Sequence, residues 1–129
     1  MIERGNMFGK KPKILVLEDE LALSKALCIK LENEGYDTLA VDNGEDAIRE
    51  IDSRKFDLAI FDLVTPKVDG FGVLKHLREK DEDTPVFVVS NLSQKEDMNE
   101  ALSKGANKFF VKSNVSLTQI VDDVKEALS

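Results

Sequence analysis

Five short apolar runs, separated by segments of a different periodicity, constrain this chain more than any other feature. They are KILVLE (Lys13–Glu18), YDTLAV (Tyr36–Val41), LAIF (Leu58–Phe61), VFVV (Val86–Val89) and KFFV (Lys108–Val111). KILVLE and LAIF are apolar almost throughout, as strands covered on both faces are, whereas YDTLAV alternates like an edge strand. Between the runs the spacing becomes helical. Leu23, Ala26, Leu27 and Leu31 form one stripe, which Gly35 ends. Asn43 is placed to cap a helix carrying Ala47, Ile48 and Ile51. Gly70 to Lys80 reads as a helix through Phe71, Leu74 and Leu77. Ser93 and Glu96 make a capping-box pattern opening a helix that Gly105 closes. Ser116 and Gln119 repeat that pattern ahead of Leu117, Ile120, Val121, Val124 and Leu128. Five strands alternating with five helices predict an α/β fold: a doubly wound, five-stranded parallel sheet with helices on both faces.

The chain has 129 residues, the size of one domain with a real core. Residues 1–12 read as a solvated N-terminal tail, with Met7 as an alternative start, and 13–129 as the folded domain. The apolar runs are too short to span a membrane and no secretory signal is visible, so a cytoplasmic location is expected. A lone cysteine, Cys28, excludes an internal disulfide and a cysteine-based zinc site; its place among Leu27 and Leu31 suits a core or boundary residue. The formal net charge is −7, and residues 1–13 hold +3 of it, leaving −10 on the rest. Direct contact with nucleic acid is not expected, because phosphate contacts need a basic footprint.

In such a sheet all strands point one way, so the residues just past their carboxyl ends gather at one edge, where ligands bind. Strand one ends in Glu18 and Asp19, strand three in Asp62, strand four in Ser90 and strand five in Lys112. Asp62 has no basic residue within four positions on either side, so an ionised carboxylate there needs a partner from elsewhere. Wet loop starts explain one polar residue. They explain poorly three acids, a hydroxyl and an ammonium at one edge.

This constellation resembles the receiver domain of two-component response regulators, of the stand-alone chemotaxis type, over residues 13 to 128. The matching pieces are LEDE with Glu18 and Asp19, FDLVTPKVDG with Asp62, VVS with Ser90 and FFVK with Lys112. The resemblance implies a flavodoxin-like strand order 2-1-3-4-5. It implies that Asp62 accepts a phosphoryl group from a phosphohistidine on a partner histidine kinase or phosphotransfer protein. It implies Mg²⁺ held by Asp19 and Asp62, with Glu18 as a ligand or through water, and the Val64 carbonyl as a further oxygen. Lys112 pairs with the acceptor and then with the phosphoryl oxygens. Ser90 and Phe109 carry the switch, and the output surface combines the Ser93–Gly105 helix, strand five and the last helix, facing a protein target or a second copy. The chemistry agrees. Two like charges 4–5 Å apart repel by roughly 3–4 kcal/mol at an effective dielectric near 20, and a hard divalent cation relieves this.

Five positions depart from the pattern. Glu18 replaces the commoner Asp, and Asn91 stands where a smaller residue is usual. Ser113 follows Lys112 where the family has proline, typically after a cis bond; either a strained cis bond or a rearranged loop is expected. Val64 and Leu92 are both apolar, which predicts slow self-dephosphorylation. A receiver-like interaction module that works without phosphorylation is the alternative. A dehalogenase-type phosphatase would need a second Asp where Val64 stands, and a dinucleotide binder would need a glycine-rich phosphate loop. His76 reads as an unaccompanied surface histidine.

Overall fold

The structure, a computed structural model, describes residues 10–92 and 94–129. The strands are β1 (Lys13–Leu17), β2 (Asp37–Val41), β3 (Leu58–Phe61), β4 (Val86–Ser90) and β5 (Lys108–Val111). The helices are α1 (Leu21–Asn33), α2 (Gly44–Ser53), α3 (Gly70–Lys80), α4 (Lys95–Ser103) and α5 (Leu117–Leu128). A single 3₁₀ turn, Lys112–Asn114, follows β5. The expected tail falls mostly on residues outside the described range, as does Ser93 of the expected capping box.

All strand pairs are parallel and the order is β2-β1-β3-β4-β5, as expected. The near-continuous apolar runs resolve into two alternating sets. Leu15, Leu17, Ala59, Phe61, Val86 and Val88 face α2, α3 and α4, meeting Ala47, Ile51, Val73, Leu74, Leu77 and Ala101. Ile14, Val16, Leu58, Ile60, Phe87 and Val89 face the opposite layer, meeting Leu27 and Leu31 of α1 and Ile120, Val121 and Val124 of α5. A strand apolar at every position therefore serves two cores at once.

Local signals set the helix ends. The Asn43 side chain accepts from the Asp46 amide at 2.9 Å, and Ser116 accepts from Gln119 at 3.0 Å. The Gln119 amide group turns to Asp123 at 2.8 Å, so only half of that expected box forms. Asp69 caps α3 by accepting from the Gly72 amide at 2.9 Å. Gly35 and Gly105, at φ +98° and +107°, take the left-handed conformation that ends α1 and α4. Weakest held is α4: its N-cap Gln94 makes no side-chain cap bond, and Ala101 is its one buried residue. His76 is not unaccompanied, since its Nε2 lies 2.8 Å from Asp52 Oδ1, joining α3 to α2.

Past α3, Asp81 folds back onto its own loop. Its Oδ1 accepts from the Asp83 and Thr84 amides at 2.8 and 3.3 Å, and its Oδ2 from the Thr84 hydroxyl at 2.9 Å. The Asp83 amide, then the Thr84 hydroxyl, hold this carboxyl below its ordinary pKa. An acid with a lowered folded pKa stabilises the fold above the ordinary carboxylate range, and that contribution is lost as pH falls through the lowered value. Asp81→Ala is therefore expected to cost about 1–2 kcal/mol near neutral pH. Urea-unfolding midpoints of variant and wild type should converge below roughly pH 4.

Candidate functional site

Strand register brings the site together. Leu17 pairs with Phe61, and the Asp62 amide donates to the Leu17 carbonyl at 2.9 Å, so Glu18 and Asp62 leave the sheet side by side. Val88 pairs with Phe61, and Ser90 with Val111, which brings Ser90 and Lys112 to the same edge from the other side. β2 contributes no site residue there, as its edge position suggests.

One carboxylate oxygen from each of Glu18, Asp19 and Asp62 lies within 4.8 Å of the others. Glu18 and Asp62 are buried and Asp19 is exposed, so the cluster opens to solvent on the Asp19 side. Lys112 supplies the partner that Asp62 lacked in sequence. Its Nζ lies 3.0 Å from Asp62 Oδ2, 3.0 Å from Glu18 Oε1 and 3.2 Å from Glu20 Oε2. The side chains of Lys112, Glu18 and Asp62 are only 13%, 6% and 6% exposed, so these pairs are poorly screened. Burial alone would favour the neutral amine. The hydrogen bonds to Asp62 and Glu18 outweigh it and hold the ammonium charged well above the ordinary lysine range. Burial pushes the Glu18 carboxyl up, with the Asp62 charge adding to it, while the Glu20 amide and Lys112 pull the other way.

The Asp62 carboxylate is held at both oxygens, since Oδ1 accepts from the Val64 amide at 3.2 Å. Val64 is 58% exposed beside it. Ser90 is fully buried and its Oγ accepts from the Leu92 amide at 3.3 Å. Leu92 and Phe109 are half-buried and pack against the core on the α2–α4 side. Spacing alone missed Glu20. It is the last acid of LEDE, and its amide donates to Glu18 Oε2 at 3.0 Å while its carboxylate reaches Lys112.

The Lys112–Ser113 bond is trans, as are all described peptide bonds, so of the two expectations the rearranged loop is realised. A non-proline cis bond costs about 2.5–4 kcal/mol, and the 3₁₀ turn avoids it. The freed Ser113 amide donates to Asn91 Oδ1 at 3.1 Å, a contact the sequence did not suggest.

Comparison with known proteins agrees with this geometry. The family model described as response regulator receiver domain matches residues 14–125. The chain is 36% identical over 103 residues to a probable transcriptional regulator, ycf27, of Porphyridium aerugineum, covering 80% of this chain and 42% of that protein. It is 33% identical over 100 residues to the alkaline phosphatase synthesis transcriptional regulatory protein PhoP of Bacillus subtilis, covering 78% and 42%. The chain thus spans less than half the length of these relatives. Among solved structures, a Francisella response regulator 1452 receiver domain superposes with TM-score 0.85 at 29% identity, covering 92% of this chain and 97% of that one. A CheY-like receiver domain protein of Methanospirillum hungatei shares the fold, with TM-score 0.87 at 24% identity over 92% and 94% of the two chains. Among the described residues no helix is long and apolar enough to cross a membrane. With the family match spanning nearly the whole sheet-and-helix array and the acids, hydroxyl and ammonium meeting at its edge, this chain belongs to the response regulator receiver domains of two-component systems.

Proposed function

We propose that Asp62 is the phosphoacceptor of this domain and that its phosphorylation depends on Mg²⁺. The observation that carries this reading is the meeting of Lys112 Nζ, 3.0 Å from Asp62, with three carboxylates whose oxygens converge within 4.8 Å. That donor set, all oxygen and open on one side, fits a hard divalent cation that keeps several waters. Asp19 and Asp62 would hold it, with Glu18 directly or through water and the Val64 carbonyl as a further ligand. When bound, Mg²⁺ offsets the charge of an incoming phosphoryl group.

In the transfer, a carboxylate oxygen of Asp62 attacks phosphorus as the bond to the donor histidine's nitrogen breaks, and the imidazole leaves with the electron pair. Lys112 faces the acceptor as a compact point charge suited to the phosphoryl oxygens. Ser90, buried at the same edge, exchanges its bond from the Leu92 amide for donation to a phosphoryl oxygen, drawing its loop inward. Phe109, half-buried on β5, follows by repacking; a phenylalanine reports through packing alone. The output is a shift in population of the surface formed by α4, β5 and α5, read by a protein target or a second copy. The donor is a histidine kinase or phosphotransfer protein. The net charge of −7 supports a protein and not nucleic acid as the direct ligand of this domain.

Incubation with acetyl phosphate and Mg²⁺, followed by intact-mass measurement, should give one phosphoryl adduct on the wild type and none on Asp62→Ala. No adduct on the wild type, or an adduct surviving Asp62→Ala, would overturn the assignment. The adduct should persist for minutes or longer once donor is removed. Val64 stands exposed beside the acceptor and cannot orient water by hydrogen bonding, so Val64→Asn should shorten the lifetime. Decay of the wild-type adduct within seconds contradicts this.

A further inference from the structure

The two loops that carry Ser90 and Lys112 are tied by one side chain. β4 and β5 end level, with Ser90 opposite Val111. Beyond that pair the backbone ladder stops, and Asn91 carries the connection one step further: its Oδ1 accepts from the Ser113 amide at 3.1 Å. Ser113 directly follows Lys112 within the Lys112–Asn114 turn. The bond needs an acceptor of asparagine's length at 91 and an amide N–H at 113, which proline lacks. The two residues that look like separate departures in the sequence therefore form one matched pair.

We infer that Asn91 is a positioning residue for phosphoryl acceptance, holding the turn that aims Lys112 at Asp62 and joining it to the loop of Ser90. The inference rests on Asp62 being the acceptor. Lys112 must be charged and in place before phosphorus arrives, because positioning and charge supply most of the catalysis of phosphoryl transfer. Its ammonium is bonded to Glu18, Glu20 and Asp62, but those bonds fix only the tip of a flexible side chain. The backbone that bears it follows edge strand β5, whose residues are all only partly buried. The Asn91 bond anchors that backbone one residue past Lys112. It also makes the two loops move together when Ser90 approaches the phosphoryl group.

The test compares the wild type with Asn91→Ala, which removes the acceptor, and Asn91→Asp, which keeps one of the same length. In metal-free protein the Ser113 amide should lose protection from hydrogen exchange in Asn91→Ala and keep it in Asn91→Asp. With acetyl phosphate at saturating Mg²⁺, Asn91→Ala should accept phosphoryl roughly 3- to 10-fold more slowly, the equivalent of one ordinary hydrogen bond. Asn91→Asp should stay near the wild-type rate. The Mg²⁺ concentration for half-maximal shift of the Asp19 amide resonance should be unchanged in Asn91→Ala. In a Lys112→Met background, Asn91→Ala should slow acceptance no further. An unchanged rate in Asn91→Ala, an equal loss in Asn91→Asp, or additivity with Lys112→Met would overturn the inference. Should the wild type take no phosphoryl group, the acceptor assignment fails, and a double-mutant cycle of urea stability decides the tie: coupling between Asn91→Ala and Lys112→Met supports it and additivity overturns it.

Discussion

Lys112→Met is expected to destabilise the metal-free domain by about 2–4 kcal/mol, and millimolar Mg²⁺ should return more of that loss than it adds to the wild type. Methionine keeps most of the length of the lysine stem, so the change removes charge more than packing. What remains is Glu18 and Asp62, both buried and close together, with Glu20 and Asp19 beside them and, among the described residues, no other cation in ion-pair contact with any of the four. Removing one partner of a buried ion pair costs more than the pair is worth, because the other charge stays behind in poor solvent. Glu18 limits the damage. Burial already raises its pKa, and losing Lys112 raises it further, so it takes up a proton where the wild type would stay ionised. Urea unfolding in EDTA and in Mg²⁺ measures both halves of the prediction. Equal stability of variant and wild type in EDTA would mean that the ammonium does not compensate the acids.

Gly70→Ala is expected to cost about 3 kcal/mol or more and to blunt phosphoryl acceptance with it. Gly70 opens α3, and its amide donates to the Leu63 carbonyl at 2.9 Å, folding the loop after β3 tightly back on itself. A methyl group there would overlap the Asp62 carbonyl oxygen and lie 2.7 Å from Leu63 Cα. Both obstacles are backbone, so no rotamer change relieves them. The clash falls on Asp62 itself, the proposed acceptor, and any accommodation moves it away from Glu18 and Lys112. Thermal or urea unfolding and the acetyl phosphate reaction should both register the change. A variant as stable as the wild type would show that the loop has a second packing.

The sheet was legible because each strand run is uninterrupted and each helix has its own punctuation. The site's location followed from the first polar residue after each run, and Glu18, Asp19, Asp62, Ser90 and Lys112 do share one edge. Pairings within that edge were less legible. Sequence spacing gives the end of a strand but not the direction of a long side chain, so Glu20 on Lys112 and Asn91 on Ser113 emerge only from the coordinates. His76 illustrates the same limit, since its partner Asp52 lies on another helix, 24 residues away. At Lys112–Ser113 local rules narrowed the choice to two conformations, and the tie from Asn91 accompanies the one adopted.

The shallow seating of α4 has a consequence of its own. Where α3 sinks Val73, Leu74 and Leu77 into the sheet, α4 fully buries Ala101 alone, with Met98 half-buried. A helix moored by so little apolar area can slide or tilt for a small fraction of the domain's stability. Under the proposed switch, a signal arriving at the Ser90 loop, immediately ahead of it, therefore has an inexpensive part to move while the rest of the scaffold stays put.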